Sequence, residues 1–205
     1  MAILKHTGAF SGRLGTVVGY RRHEKNFLRK APRRTAPPTE KELVNRYCFK
    51  LVQEWLHPIQ EFINQGFRNC GRSTAANAAR SHLHHHALQR QGYASVIDPS
   101  LVKVSRGDVG LPATNAVVLE GSQLHFSWEP AIDASRDPRD RVMLLAYNVE
   151  KAFAVQETFG NKRLSGSDSL QLPLNIPGSY HLYAAFIAED LGRQSQSKYL
   201  GSVQL

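Results

Sequence analysis

The sequence predicts an α+β chain: an N-terminal β-hairpin arm and a small helical segment, followed by an all-β sandwich. Three observations predict it. Residues 8–32, GAFSGRLGTVVGYRRHEKNFLRKAP, are glycine-punctuated, basic and β-prone. Residues 39–91 carry apolar side chains at helical spacing, and from about Ser100 the period drops from 3.6 to 2. The organisation that follows is arm and linker over 1–38, helical segment over 39–98 and sandwich over 99–205.

In the arm, Thr16 to Arg22 reads as a short strand, because Thr16, Val17, Val18 and Tyr20 suit a pleated surface. Phe27 and Leu28 start a second strand, with His23-Glu24-Lys25-Asn26 as the connection. Glycines at 8, 12, 15 and 19 weaken a strand by themselves, so their repetition points to close approach of another backbone or to positive φ. Phe10, Leu14, Val17, Val18, Tyr20, Phe27 and Leu28 are too many apolar groups for a solvated tail. They are the candidate assembly residues. Arg13, Arg21, Arg22, Arg29, Arg33 and Arg34 are the candidate basic contacts.

Pro32, Pro37 and Pro38 keep the linker extended. Thr39-Glu40-Lys41-Glu42 has the form of a capping box, and a helix is expected from there to about Leu56. Its stripe is Leu43, Tyr47, Leu51 and Trp55, widened by Val44, Cys48 and Val52. His57-Pro58 interrupts it, and a short second helix carries Ile59, Phe62 and Ile63 to Gly66. A third helix is expected from Ser73 or Thr74 to Gln91. It contains His82 and His86 one turn apart, without a nearby carboxylate or cysteine to complete a metal site. The expected strands are Leu101–Ser105, Ala116–Leu119, Gln123–Trp128, Arg141–Val149, Ala152–Glu157, Ser169–Leu172, Ser179–Ala188 and Ser195–Gln204. Trp128, Leu144, Tyr147, Leu182 and Ala184 are placed near the sandwich core.

The 205 residues carry a formal charge of +9, unevenly distributed. Residues 1–40 hold nine Lys and Arg against two carboxylates, while residues 91–205 hold ten against twelve. A basic front half implies an anionic partner: nucleic acid, or the acidic surface of another copy. Cys48 and Cys70 form neither a framework nor a ligand cluster and read as free buried thiols. Glu129, Asp133, Asp137 and Asp140 fit no defined calcium loop and, with Arg136, Arg139 and Arg141 among them, read as a solvated loop. Neither a nucleophile elbow nor a phosphate loop is found, so no enzyme, cofactor or metal is assigned. No run is long enough to span a bilayer, and Gly8, Ser11 and Gly12 interrupt any signal-peptide core. Cytoplasmic synthesis or a virus-like particle is expected, with an extracellular place only by a non-standard route.

Two resemblances rest on particular residues. LHFSWEP from Leu124, YHLYAAF from Tyr180 and SKY from Ser197 resemble the second, sixth and seventh strands of a fibronectin type III-like sandwich, with Trp128 as its core tryptophan. The N-terminal 32 residues, PTEKELVNRYCFKLV, FSWEP, RVMLLAYN and the terminal SKYLGSVQL resemble an uncharacterised family of Bacteroidota proteins with a glycine-rich basic N-terminal signature. The N-terminal pattern is also similar to virion and prophage structural proteins, from which it departs at Lys5-His6-Thr7 and His23-Glu24.

Two functions are expected. The first is a self-assembling structural subunit of a filament, shell or virus-like particle, a homo-oligomer in which the arm of one copy docks on another. The arm's strands are expected to add to, or thread through, a neighbouring copy, since a lone two-stranded hairpin is marginal in water. The second is a nucleic-acid-binding protein using the basic arm.

Overall fold

A computed structural model describes residues 3–4, 10–22, 25–33, 36–70, 74–113, 115–130, 133 and 136–205. The chain is α+β and mostly β. It divides into two compact units, Met1–Glu40 and Lys41–Leu205.

The first unit is an antiparallel meander, not a two-stranded hairpin. It comprises β1 (Ile3–Leu4), β2 (Phe10–Leu14), β3 (Val17–Arg22) and β4 (Lys25–Lys30), in that spatial order. Leu14 pairs with Val17 across Gly15-Thr16, and Gly15 takes φ of +58°, which suits the first central position of a two-residue hairpin turn. Arg22 pairs with Lys25, so Lys25 and Asn26 belong to the strand and not to the connection. His23 and Glu24, and with them the connection's conformation, lie outside the described residues.

The second unit is built on two central strands that are apolar almost without a break, Arg141–Asn148 and Ser179–Ile187. The helical segment supplies α1 (Glu40–Leu56), a 3-10 turn over His57–Ile59 with Pro58 in its first turn, α2 (Gln60–Gly66) and α3 (Ala75–His86). The hydroxyl of Thr74 accepts the Asn77 amide at 3.4 Å and caps α3. α3 stops five residues short of the expected Gln91. Leu88–Gln89 (β5) instead pairs with Val96–Ile97 (β6), and the Asp98 amide takes the Ala87 carbonyl.

The sandwich follows as β7 (Asn115–Glu120), β8 (Gln123–Trp128), β9 (Arg141–Asn148), β10 (Phe153–Glu157), β11 (Ser167–Gln171), β12 (Ser179–Ile187) and β13 (Lys198–Gln204). One sheet runs β11-β8-β7 and the other β10-β9-β12-β13. Counted within the sandwich, the first, second and fifth strands share one sheet. The third, fourth, sixth and seventh share the other, with β8, β12 and β13 in the second, sixth and seventh places that the fibronectin type III-like resemblance implied. The strand expected over 101–105 does not form. Pro99–Leu101 is a 3-10 turn, and the residues after it are held by side chains. The Val104 amide donates to Ser197 Oγ at 2.9 Å, and Ser105 Oγ lies 2.7 Å from the Ser195 carbonyl and 3.1 Å from that of Gly66.

Two cores result. Between the sheets lie Leu124, Phe126, Trp128, Val142, Leu144, Ala146, Leu170, Tyr180, Leu182, Ala184 and Phe186. On the other face of β9 and β12, Met143, Leu145, Tyr147, Tyr183, Ala185 and Ile187 pack against Val52, Trp55, Ile59, Phe62, Ile63 and Leu83 of the helices. Tyr147 thus belongs to the helix–sheet core and not the sandwich core where the sequence reading placed it. It meets Trp55 edge-on at 4.9 Å and donates its hydroxyl to the Trp55 carbonyl at 2.9 Å. The helices and sandwich are three layers over one shared sheet, helix on sheet on sheet.

Candidate functional site

Cross-strand partners in an antiparallel sheet share a face, so the register of the arm sorts its residues. Arg13 pairs with Val18, Val18 with Arg29, Tyr20 with Phe27 and Arg22 with Lys25. One face therefore gathers four bases, Arg13, Arg22, Lys25 and Arg29, around an aromatic pair. The rings of Tyr20 and Phe27 stack at 5.4 Å and 17°, and the Arg29 guanidinium lies 5.6 Å from the Tyr20 ring centre. Arg13 donates from Nε to the Gly15 carbonyl at 3.0 Å, which ties it to the turn.

The opposite face is different in kind. Gly12 pairs with Gly19, Leu14 with Val17 and Gly19 with Leu28. Gly12 is partly buried and Gly19 buried; Leu14, Val17 and Leu28 lie beside them, and Lys30, the partner of Val17, shares the face. Leu14 is 63% exposed and Leu28 67%, while Tyr20 and Phe27 on the basic face are 40% and 39% exposed. Every residue of the edge strand β4 is exposed.

The sequence-derived candidates separate accordingly. Leu14, Val17 and Leu28 share the glycine face, while Val18, Tyr20 and Phe27 share the basic one. Arg21 and Lys30 part from the other bases, since their partners Asn26 and Val17 place them on the glycine face. Phe10 begins β2, but its side chain lies outside the described residues, and so does Arg34. Arg33 is exposed beyond β4. Lys25 is the basic contact that sequence reasoning missed, because it was assigned to the connection.

Residues 9–201 match the Family of unknown function (DUF6266). The chain belongs to that family. No curated protein and no solved structure matches the chain. The DUF6266 match takes in all of β2, β3 and β4, so the arm lies within the family's extent and the family is not confined to the sandwich.

Elsewhere in this DUF6266 chain, the acidic loop proves only partly solvated. Asp133 pairs with Arg136, and Asp137 with Arg139 at 3.0 Å. Asp140, however, is buried and accepts from the buried Arg163 at 3.1 Å. Burial raises the Asp140 carboxyl above its ordinary range against the pull of Arg163. The Arg163 guanidinium also donates to the Gly110 carbonyl at 2.8 Å and lies 4.0 Å from the Phe186 ring centre. This arrangement lies against the sandwich core, whose Trp128 donates from Nε1 to the Arg163 carbonyl at 2.8 Å. Cys48 is buried and Cys70 only partly so, and both are free thiols. Among the described residues no three His, Cys, Asp or Glu converge on a metal position, and no helix is long and apolar enough to cross a membrane.

Proposed function

We propose that the chain is a structural, self-assembling subunit of a filament, shell or virus-like particle, whose arm docks on a neighbouring copy through its glycine–apolar face. The observation that carries this reading is the exposure of Leu14 and Leu28 beside the Gly12–Gly19 pair. Four strands pair the arm's inner backbone groups, but a small sheet also needs a covered apolar face to be stable.

The occupant argued for is a second copy, by charge. Residues 1–40 carry a formal +7 and residues 91–205 a formal −2, so an arm is attracted to another copy's sandwich and repelled by another arm. Lys25, Arg29 and Lys30 on β4 oppose edge-to-edge pairing of like arms. Docking through the glycine–apolar face is face-on. Contact of an arm with a different surface is heterologous, and such contacts generate rings or open filaments. The similarity of the N-terminal pattern to virion and prophage structural proteins, and the resemblance to Bacteroidota proteins, belong to this reading. It assigns the chain no reaction.

The test is the oligomeric state of the full-length protein by light scattering and negative-stain microscopy. Wild type is expected to assemble, whereas Leu14→Asp/Leu28→Asp and a chain lacking residues 1–34 are expected to be folded monomers. A strictly monomeric wild type at high concentration, or an unchanged oligomer from both variants, overturns the proposal. A second reading, nucleic-acid binding, is favoured by the basic face, where four cations surround a stacked aromatic pair.

A further inference from the structure

We infer that the second unit carries a pocket for a small phosphate-type oxyanion, formed by α3 and the segment that follows the Pro99–Leu101 turn, independent of the arm. The cavity holds about 230 Å³ and is lined by His82, His86, Lys103, Ser105, Arg106 and Gln196. Three stretches of chain converge there. α3 contributes the two histidines one turn apart, their ring centres 4.5 Å from each other. Lys103 and Arg106 flank Ser105, whose hydroxyl anchors that stretch to Gly66 and Ser195. Gln196 comes from the loop before β13.

The lining is one-signed. Two side chains are permanent cations, two become cations on protonation, and none of the six is acidic. Lys103 Nζ donates to the Ser197 carbonyl at 3.1 Å, which holds the ammonium in place. His82 Nδ1 is buried without a hydrogen-bond partner, an arrangement that a ligand oxygen would relieve. The empty pocket also works against its own charge. Burial first, and then His86, Arg106 and Lys103, press His82 down to about 4. Lys103 and Arg106 equally oppose a metal ion between the histidines. At this volume the cavity lies below the range of about 300–1,000 Å³ for drug-sized ligands, so it suits a single anionic group and not a whole nucleotide.

The experiment follows the histidine ring signals of the full-length protein by NMR from pH 3.5 to 7.5 with sulfate, inorganic phosphate or chloride at matched ionic strength. Sulfate and phosphate are expected to shift His82 and His86 saturably and to raise the pKa of His82, and chloride is not. Arg106→Gln, at an exposed position, and Lys103→Gln should each weaken sulfate binding about tenfold, the scale of one charge-assisted hydrogen bond. Arg22→Gln/Arg29→Gln in the arm should leave it unchanged. The inference is overturned if chloride and sulfate act alike, if both pocket variants bind sulfate as wild type does, or if the response follows the arm variant. It is overturned equally if zinc saturates the pair while sulfate does nothing.

Discussion

Replacing Trp128 with alanine is expected to cost about 3–5 kcal/mol of stability. The indole is 7% exposed, meets the Phe186 ring edge-on at 5.5 Å and donates from Nε1 to the Arg163 carbonyl at 2.8 Å. A buried tryptophan removes roughly 150–250 Å² from water, and at about 25 cal/mol per Å² that is roughly 4–6 kcal/mol, less what the alanine β-carbon keeps. Trp128→Phe separates the two contributions. It retains most of the packing and loses the hydrogen bond, so it should cost nearer 1 kcal/mol for the lost bond. The bond's share sits at the low end, because the Arg163 carbonyl also accepts the Gly166 amide at 3.2 Å and is not left bare. Urea unfolding followed by circular dichroism measures the difference. Trp55, in the helix–sheet core, remains as a fluorescence reporter in both variants. A loss below about 0.5 kcal/mol for Trp128→Ala, the range of ordinary surface substitutions, would refute the packing argument.

Arg163→Met leaves Asp140 buried without its guanidinium and should cost about 3–5 kcal/mol, while Arg163→Met/Asp140→Asn should recover much of it; chemical denaturation of both variants checks this. In the single variant the Asp140 carboxyl rises further above its unfolded value. The protonated form then stabilises the fold fully below the unfolded carboxylate pKa of about 4, and that contribution is lost as pH rises through the folded value. Arg163→Met should accordingly be least stable near neutrality. On the nucleic-acid reading, anisotropy with a labelled duplex should show weak binding whose salt slope falls by about 0.9 for each of Arg22→Gln and Arg29→Gln. Tight, sequence-selective binding at physiological salt would put that reading ahead of assembly.

The order of helices and strands was legible because each carries its own period. β8 alternates buried and exposed from Leu124 to Trp128, as a strand with one wet face must. What alternation could not show is the layer above β9 and β12. RVMLLAYN and SYHLYAAFI are apolar almost without a break, and a continuous run signals burial on both faces. Treating Tyr147 as a sandwich residue ignored that signal, and with it the place where the helices dock. The 101–105 stretch misled for a related reason. Val102 and Val104 alternate like a strand, but the Val102 amide turns back to the Pro99 carbonyl and the Val104 amide donates to the Ser197 hydroxyl, pairings that no periodicity encodes.

The arm was legible in composition and not in register. Its glycines, bases and aromatics were all visible, yet a list of residue types does not say which of them share a face. Pairing Leu14 with Val17 across a two-residue turn decides it, because a one-residue slip would carry the side chains of β2 to the other face relative to β3. In the observed register the two glycines coincide on the face that carries Leu14 and Leu28. Four bases, Arg13, Arg22, Lys25 and Arg29, lie on the other. A slipped register would carry Arg13 to the face of Leu28 and break up the cluster of four bases. On the proposed readings, the face of Leu14, Val17 and Leu28, which also carries Arg21 and Lys30, meets a protein neighbour, and the face of Arg13, Arg22, Lys25 and Arg29 meets an anion. The assembly and nucleic-acid readings are in that case compatible, since each uses a different face.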